Sequence, residues 1–187
     1  FHIWGSARDR IERPDRMVFD LDPDEGLGFA RVKAAAQELR EALDACGLES
    51  VPMVTGGKGV HVVAPLTPRY GWDEVKAFAE AFARTMAADE PKKYLAVATK
   101  AKRTGRIFID YLRNGRGATA IAPFSPRARK GAPVAWPVSW RSLARLKDAR
   151  PANVETAVAM LKKQKADPWD DYFDVDQVLP LERLTGG

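Results

Sequence analysis

A chain of 187 residues that is 45% hydrophobic and 29% charged has the composition of a globular protein, and its length suits one domain with a sizeable core. Its one cysteine, Cys46, excludes a disulfide framework within the chain and points to a reducing compartment. No apolar stretch reaches membrane-spanning length and no signal peptide is visible, so the net charge of +5 is read against a soluble polyanion rather than a bilayer.

In chain order, the first strand-like run is Met17-Val18-Phe19, which leads into Asp20-Leu21-Asp22 and Pro23. Strand side chains alternate faces, so Asp20 and Asp22 project from the same face. Two carboxylates held that close repel unless a cation or a proton lies between them, and hard oxygen ligands suit Mg²⁺ or Mn²⁺. The plainer reading is a turn, since Asp-Pro-Asp-Glu-Gly is good turn chemistry. Phe29, Val32, Ala36, Leu39 and Leu43 then recur at helical spacing between Gly28 and Gly47, with Cys46 on the same apolar face.

Val51–Val54 reads as a strand. It is followed by Thr55-Gly56-Gly57-Lys58-Gly59 and a second strand, Val60-His61-Val62-Val63-Ala64. Glycines permit close backbone approach, and exposed amides beside a lysine suit a phosphate. A Walker loop is excluded because a strand, not a helix, follows. His61 faces away from Val60 and Val62, and a lone strand histidine is more often structural than catalytic. Val75, Phe78, Ala79, Phe82 and Met86 mark a second helix between Gly71 and Pro91.

Ile107-Phe108-Ile109 again delivers an aspartate, Asp110, with Arg103 and Arg106 just before it. Asn114-Gly115 predicts a hairpin turn between the runs 107–112 and 118–122. A third helix is expected over 154–165. The segment from Asp167 is acidic and aromatic, and is expected to pack as a tail, 167–187, on a single domain spanning 1–187. Between Lys100 and Arg150 there are thirteen Lys or Arg against Asp110 and Asp148. Such segregation reads as a nucleic-acid surface, and Lys102, Arg113 and Arg116 are the residues assigned to DNA.

Taken together, these segments resemble the archaeo-eukaryotic primase superfamily, and more closely the polymerase domain of bacterial DNA ligase D. The family pattern is an Asp-x-Asp strand, a Ser-Gly-Gly-Lys-Gly-x-His turn and a later strand-borne Asp. Here those are Asp20 and Asp22, Thr55 to His61, and Asp110. The likeness continues through Lys102–Gly105, Thr119–Arg127 and Asp167-Pro168-Trp169, and so covers nearly the whole chain. Threonine at position 55 replaces the usual serine, keeping the hydroxyl but restricting χ1.

The resemblance implies an α+β primase-polymerase core, with a mixed, mainly antiparallel sheet backed by helices and the site on its open face. It implies that Asp20, Asp22 and Asp110 hold two Mg²⁺ or Mn²⁺ ions and carry catalysis. His2, Thr55, Lys58, His61, Arg103 and Arg127 are then expected at the nucleotide, with Lys58, Arg103 and Arg127 around its triphosphate. The implied activity is template-directed nucleotidyl transfer, with ribonucleotides favoured, at gaps and ends in non-homologous end joining. DNA ends or gapped duplexes, nucleoside triphosphates, Ku and a fused or separate ligase domain are the implied partners, and the bacterial cytoplasm at the nucleoid is the setting. The family carries a substantial segment before the position matching Phe1, so this chain is expected to bind metal and triphosphate but to extend primers poorly. Two other readings stay open. One is a non-catalytic nucleic-acid or nucleotide-binding module. The other is a metal-dependent phosphoesterase acting on nucleic-acid ends.

Overall fold

Alternation along Arg16–Pro23 decides the layering of the molecule. In the computed structural model, which describes residues 1–181, this segment is one continuous strand, β2. Met17, Phe19 and Leu21 are fully buried on one face, and Val18, Asp20 and Asp22 lie on the other. The turn expected at the aspartates begins only after Pro23.

The apolar face of β2 is covered by two helices, α1 (Phe29–Ala45) and α2 (Trp72–Asp89). Val32, Ala36, Leu39 and Leu43 of α1 are buried together with Val75, Phe78, Ala79 and Phe82 of α2. The Phe82 ring meets that of Phe19 at 5.2 Å between centroids. Gly47, at φ +78°, ends α1: its N–H reaches the carbonyl of Asp44, and that of Leu48 reaches Leu43. At the start of α2, the Glu74 carboxylate accepts the N–H of Gly71. Cys46 caps α1 and packs on the core as expected.

The remaining elements are β1 (His2–Ile3), β3 (Val51–Val54), β4 (Val60–Pro65), β5 (Tyr94–Leu95), β6 (Ile107–Asp110), β7 (Ala120–Ile121), β8 (Trp136–Pro137), α3 (Trp140–Arg145) and α4 (Ala157–Lys163). Six strands form one sheet in the order β5-β6-β2-β4-β3-β8, with only the β5–β6 pair parallel. This is the α+β, mainly antiparallel architecture the sequence predicts. β1 and β7 form a separate two-stranded ribbon.

That ribbon corrects one expectation. Asn114-Gly115 does not close a hairpin, because β7 pairs with β1 rather than with β6. The Asn114 side chain is buried instead, in a short 3₁₀ turn, Leu112–Asn114. Its amide oxygen accepts the Val18 N–H at 2.7 Å, and its amide nitrogen donates to the Val18 and Tyr111 carbonyls, both at 2.8 Å. It therefore stands in for a strand partner beside β2, just where β6 has ended. The third predicted helix is also shorter. The Asn153 side chain accepts N–H groups of Glu155 and Thr156, which makes a turn of those residues, and α4 starts only at Ala157. α3 was not expected; its signal is Ser139, whose hydroxyl accepts the Ser142 N–H.

The open face of the sheet is divided in two. Near one end, Val18 and Val63 are covered by Tyr172, with Trp169 against them. Trp169 donates its indole N–H to Pro52, and Gln177 bonds to the backbone of Glu49 and Pro65. Leu179 is buried in the main core. Residues 182–187 of the expected tail lie outside the described residues. The uncovered half of that face carries Asp20, Asp22, His61 and Asp110.

Candidate active site

Strand register brings the acids together. β2 is flanked by β4 and β6, and Asp20 is directly opposite His61 on one side and Asp110 on the other. Directly opposite residues on antiparallel strands hold their Cβ atoms about 4.5–5.5 Å apart. Asp22 is two residues along the same face. Three carboxylates separated by up to 90 positions in the chain thus share one patch.

Each acid meets a cationic or imidazole group of the chain itself. His61 Nε2 is 3.4 Å from Asp20 Oδ2, and Arg113 Nη2 is 3.5 Å from the same oxygen. Arg113 Nε is also 3.4 Å from Asp110 Oδ2. Arg103 pairs with Asp22. Burial alone would raise the pKa of Asp20, but His61 and then Arg113 and Arg127 outweigh it and hold the carboxyl below its ordinary range. Asp110 moves the other way: burial, then the negative charges of Asp20 and Asp22, raise it against the opposing Leu112 N–H and Arg113.

Opposite the acids, the loop Thr55–Gly59 folds back over β2. Gly56 takes φ +69°, a conformation that favours glycine. At Gly59 the approach is closer still: a Cβ there would sit 2.5 Å from the Leu21 carbonyl oxygen and 3.3 Å from Asp20 Oδ1. Thr55 shapes this loop. Both its hydroxyl and its N–H donate to the Gly59 carbonyl, and its hydroxyl accepts the N–H of Gly57. Lys58 is exposed at the loop's tip.

Asp20, Asp22 and the loop border a cavity of about 220 Å³. His2, Asp20, Asp22, Thr55, Lys58, His61 and Arg127, all named from the sequence, line it, whereas Asp110 does not. Burial first, and then Arg127, the terminal ammonium and Arg113, lower the pKa of His2. Arg103, expected at the triphosphate, does not border the cavity. Its guanidinium lies 4.7 Å from the centre of the Phe108 ring and bonds to Asp22 and to the Ala98 carbonyl. Arg113, expected on DNA, sits on the acid pair. Arg116, expected there too, makes a two-pronged pair with Glu12, and Lys102 is exposed.

Two residues of the site escaped sequence reading. Arg129 also lines the cavity, and the Arg-x-Arg spacing with Arg127 could have marked it. Arg150 donates to the Gly57 carbonyl at 3.1 Å and so braces the loop from a segment with no motif. Among the described residues, Lys58, Arg127 and Arg129 have no carboxylate partner, whereas Arg103 and Arg116 each have one and Arg113 has two. The cavity therefore has an acidic wall and a wall of uncommitted cations, which suits a polyphosphate bridged to the acids by divalent ions.

The donor set fits such ions, being three carboxylates on one face. As the side chains stand, however, no three His, Cys, Asp or Glu groups among the described residues close on a single point. The guanidinium groups of Arg103 and Arg113 lie against the carboxylates instead. Among the described residues no helix is long and apolar enough to cross a membrane.

Comparison with known proteins identifies the family and the fold. The family model described as "LigD, primase-polymerase domain" matches residues 1–169. The multifunctional non-homologous end joining protein LigD of Pseudomonas aeruginosa is 43% identical over 178 residues, which is 95% of this chain and 21% of that protein. The bifunctional LigD of Bacillus subtilis is 29% identical over 176 residues, 94% of this chain and 29% of that protein. Among solved structures, the polymerase domain of Mycobacterium tuberculosis ligase D in complex with DNA superposes with a TM-score of 0.77 at 29% identity, covering 87% of this chain and 55% of that one. The chain thus spans less than a third of the length of these two curated relatives.

Proposed function

Because the chain belongs to the LigD primase-polymerase domain family, we propose that it is a template-directed nucleotidyltransferase, a DNA/RNA polymerase that favours ribonucleotides. It fills gaps and ends during the repair of double-strand breaks by non-homologous end joining. The observation that carries this reading is the 220 Å³ cavity, lined by Asp20 and Asp22 together with Lys58, Arg127 and Arg129, with Asp110 held opposite Asp20 by strand register.

Asp20, Asp22 and Asp110 are the residues that hold two Mg²⁺ or Mn²⁺ ions. When bound, these ions neutralise charge on the attacking primer 3′-oxygen and on the departing pyrophosphate. The rest of the work falls to the chain's own side chains. Lys58 and Arg127, joined by Arg129, hold the triphosphate and offset its charge in a partly enclosed site, where charge-assisted hydrogen bonds are strongest. His61, buried beside Asp20, fixes that carboxylate's orientation; its Nδ1 is buried with no hydrogen-bond partner among the described residues. Gly59 allows the loop to press against β2, which sets the spacing between triphosphate and acids. No protein nucleophile is needed, because the primer hydroxyl attacks the α-phosphorus directly.

The substrates that go with this reading are nucleoside triphosphates and DNA ends or gapped duplexes. Arg113, Arg116 and Lys102 lie in the basic 100–150 stretch assigned to the nucleic acid. Ku and a ligase domain, fused or separate, are the partners, and the bacterial nucleoid is the setting. Residues 1–187 act as one domain, with 167–187 as its tail.

Primer extension on a gapped duplex with Mn²⁺ tests the proposal. Asp22→Ala should abolish both extension and pyrophosphate release, while DNA binding, which rests on Lys and Arg contacts to phosphates, stays largely intact. Extension at near wild-type rate by this variant would overturn the assignment. Hydrolysis of nucleic-acid ends without pyrophosphate release would favour the phosphoesterase reading.

A further inference from the structure

Arg113 is placed where an ion would have to go. Leu112 donates its N–H to Asp110 Oδ1 at 2.9 Å, which leaves Oδ2 as the open oxygen of that carboxylate. On Asp20, Oδ2 is the oxygen that both His61 Nε2 and Arg113 Nη2 approach, at 3.4 and 3.5 Å. Arg113 bridges these same two oxygens, Nε to Asp110 and Nη2 to Asp20. Its place is set by the buried Asn114 beside it, which bolts the turn to Val18 and Tyr111.

We propose that Arg113 is an intramolecular counter-ion, a side-chain cation that neutralises the Asp20–Asp110 pair when no divalent ion is bound and must swing aside for one to enter. This rests on the metal-site reading above. Two carboxylates on facing strands repel, and a guanidinium between them removes that repulsion without any bound ion. Displacement is sterically open, because the Arg113 side chain is 41% exposed. No hydrogen bond or ion pair is found for it beyond the two acids among the described residues. The side chain also borders the cavity, so a displaced guanidinium stays close to an anion held there. Arg113 is thus a positioning residue that sets metal affinity by competition.

The test is Mn²⁺ binding to the nucleotide-free protein, read by electron paramagnetic resonance of free Mn²⁺. Arg113→Gln and Arg113→Met should each bind Mn²⁺ about tenfold more tightly than wild type, as expected for removing a competitor held by two partly exposed ion pairs. Arg113→Lys, which keeps the positive charge but replaces the planar, spaced donors of the guanidinium by one compact ammonium, should fall between. Thermal melting without metal should confirm that each variant is folded, with the gain in melting temperature on adding Mn²⁺ larger than in wild type. Unchanged or weaker Mn²⁺ binding by both Gln and Met variants would overturn the inference. Asp20→Asn separates the two levels: if it leaves wild-type Mn²⁺ binding unaltered, the metal-site reading itself has failed.

Discussion

Asp20 on β2 and Asp110 on β6 are register partners, directly opposite across one antiparallel pairing. Both Oδ2 atoms face the Arg113 guanidinium between them. Two acids in this relation are shifted apart, Asp20 toward the charged form because His61 outweighs its burial, and Asp110 toward the neutral one because burial first, and then the charges of Asp20 and Asp22, raise it. The consequences of this compact arrangement extend into the residues that support it.

Gly59 is the closest contact between the phosphate-side loop and the acidic strand. Gly59→Ala sets a Cβ against the Leu21 carbonyl oxygen, a backbone atom that cannot move without shifting β2. Urea unfolding should show a loss of about 1–3 kcal/mol, typical of overpacking, along with weakened Mn²⁺ binding. Gly26→Ala, where nothing lies within 4 Å, should stay within about 0.5 kcal/mol of wild type in the same assay.

Asn114→Ala should cost more than a surface change of the same size. It strands the buried N–H and carbonyl of Val18 and frees the turn that carries Arg113. Each unsatisfied buried group costs about 1–3 kcal/mol, so a total loss of roughly 2–5 kcal/mol is expected from chemical denaturation. Asn114→Asp, which keeps the acceptor but loses the donor, should recover part of it.

Arg127 and Arg116 should differ in nucleotide binding. Charged hydrogen bonds to phosphate are worth about 1.5–3 kcal/mol, so Arg127→Ala should weaken triphosphate affinity by roughly ten- to a hundredfold, measured by calorimetry with Mn²⁺ present. Arg116→Ala should leave that affinity unchanged, since its guanidinium is held by Glu12 away from the cavity. Equal effects would place the triphosphate elsewhere.

Tyr172 should give the tail an alkaline limit. Burial pushes its hydroxyl from 10.0 up to about 12, against the opposing charge of Arg16. The folded state therefore binds this proton more tightly than the unfolded one. Its contribution is complete below about pH 10 and is lost as pH rises through about 12. Tyr172→Phe removes a buried hydroxyl that has no hydrogen-bond partner among the described residues, so it should be neutral to slightly stabilising at pH 7 and should flatten the loss between those two values. Melting temperatures of both proteins across this range are the measurement.

What the sequence determined by itself was set by local periodicity. Asp20 and Asp22 had to share a face once their segment was a strand, and the apolar stripes of α1 and α2 had to face one core. The glycines of 55–59, between two strand runs, marked a loop able to approach its neighbour closely. These relations depend on one stretch of backbone with a fixed period, so they are legible without knowing the fold. Which segments meet was decided only by tertiary structure. The register that sets Asp110 against Asp20, the burial of Asn114 in place of a hairpin turn and the convergence of Arg127 and Arg129 with Lys58 all follow from how distant surfaces bury together. The arginines were least legible. A side chain that long reaches several partners from one Cα, so the sequence could place Arg103 and Arg113 in a basic stretch. Only the packing around Phe108 and Asn114 chose carboxylates for both, and left Lys58, Arg127 and Arg129 uncommitted around the cavity.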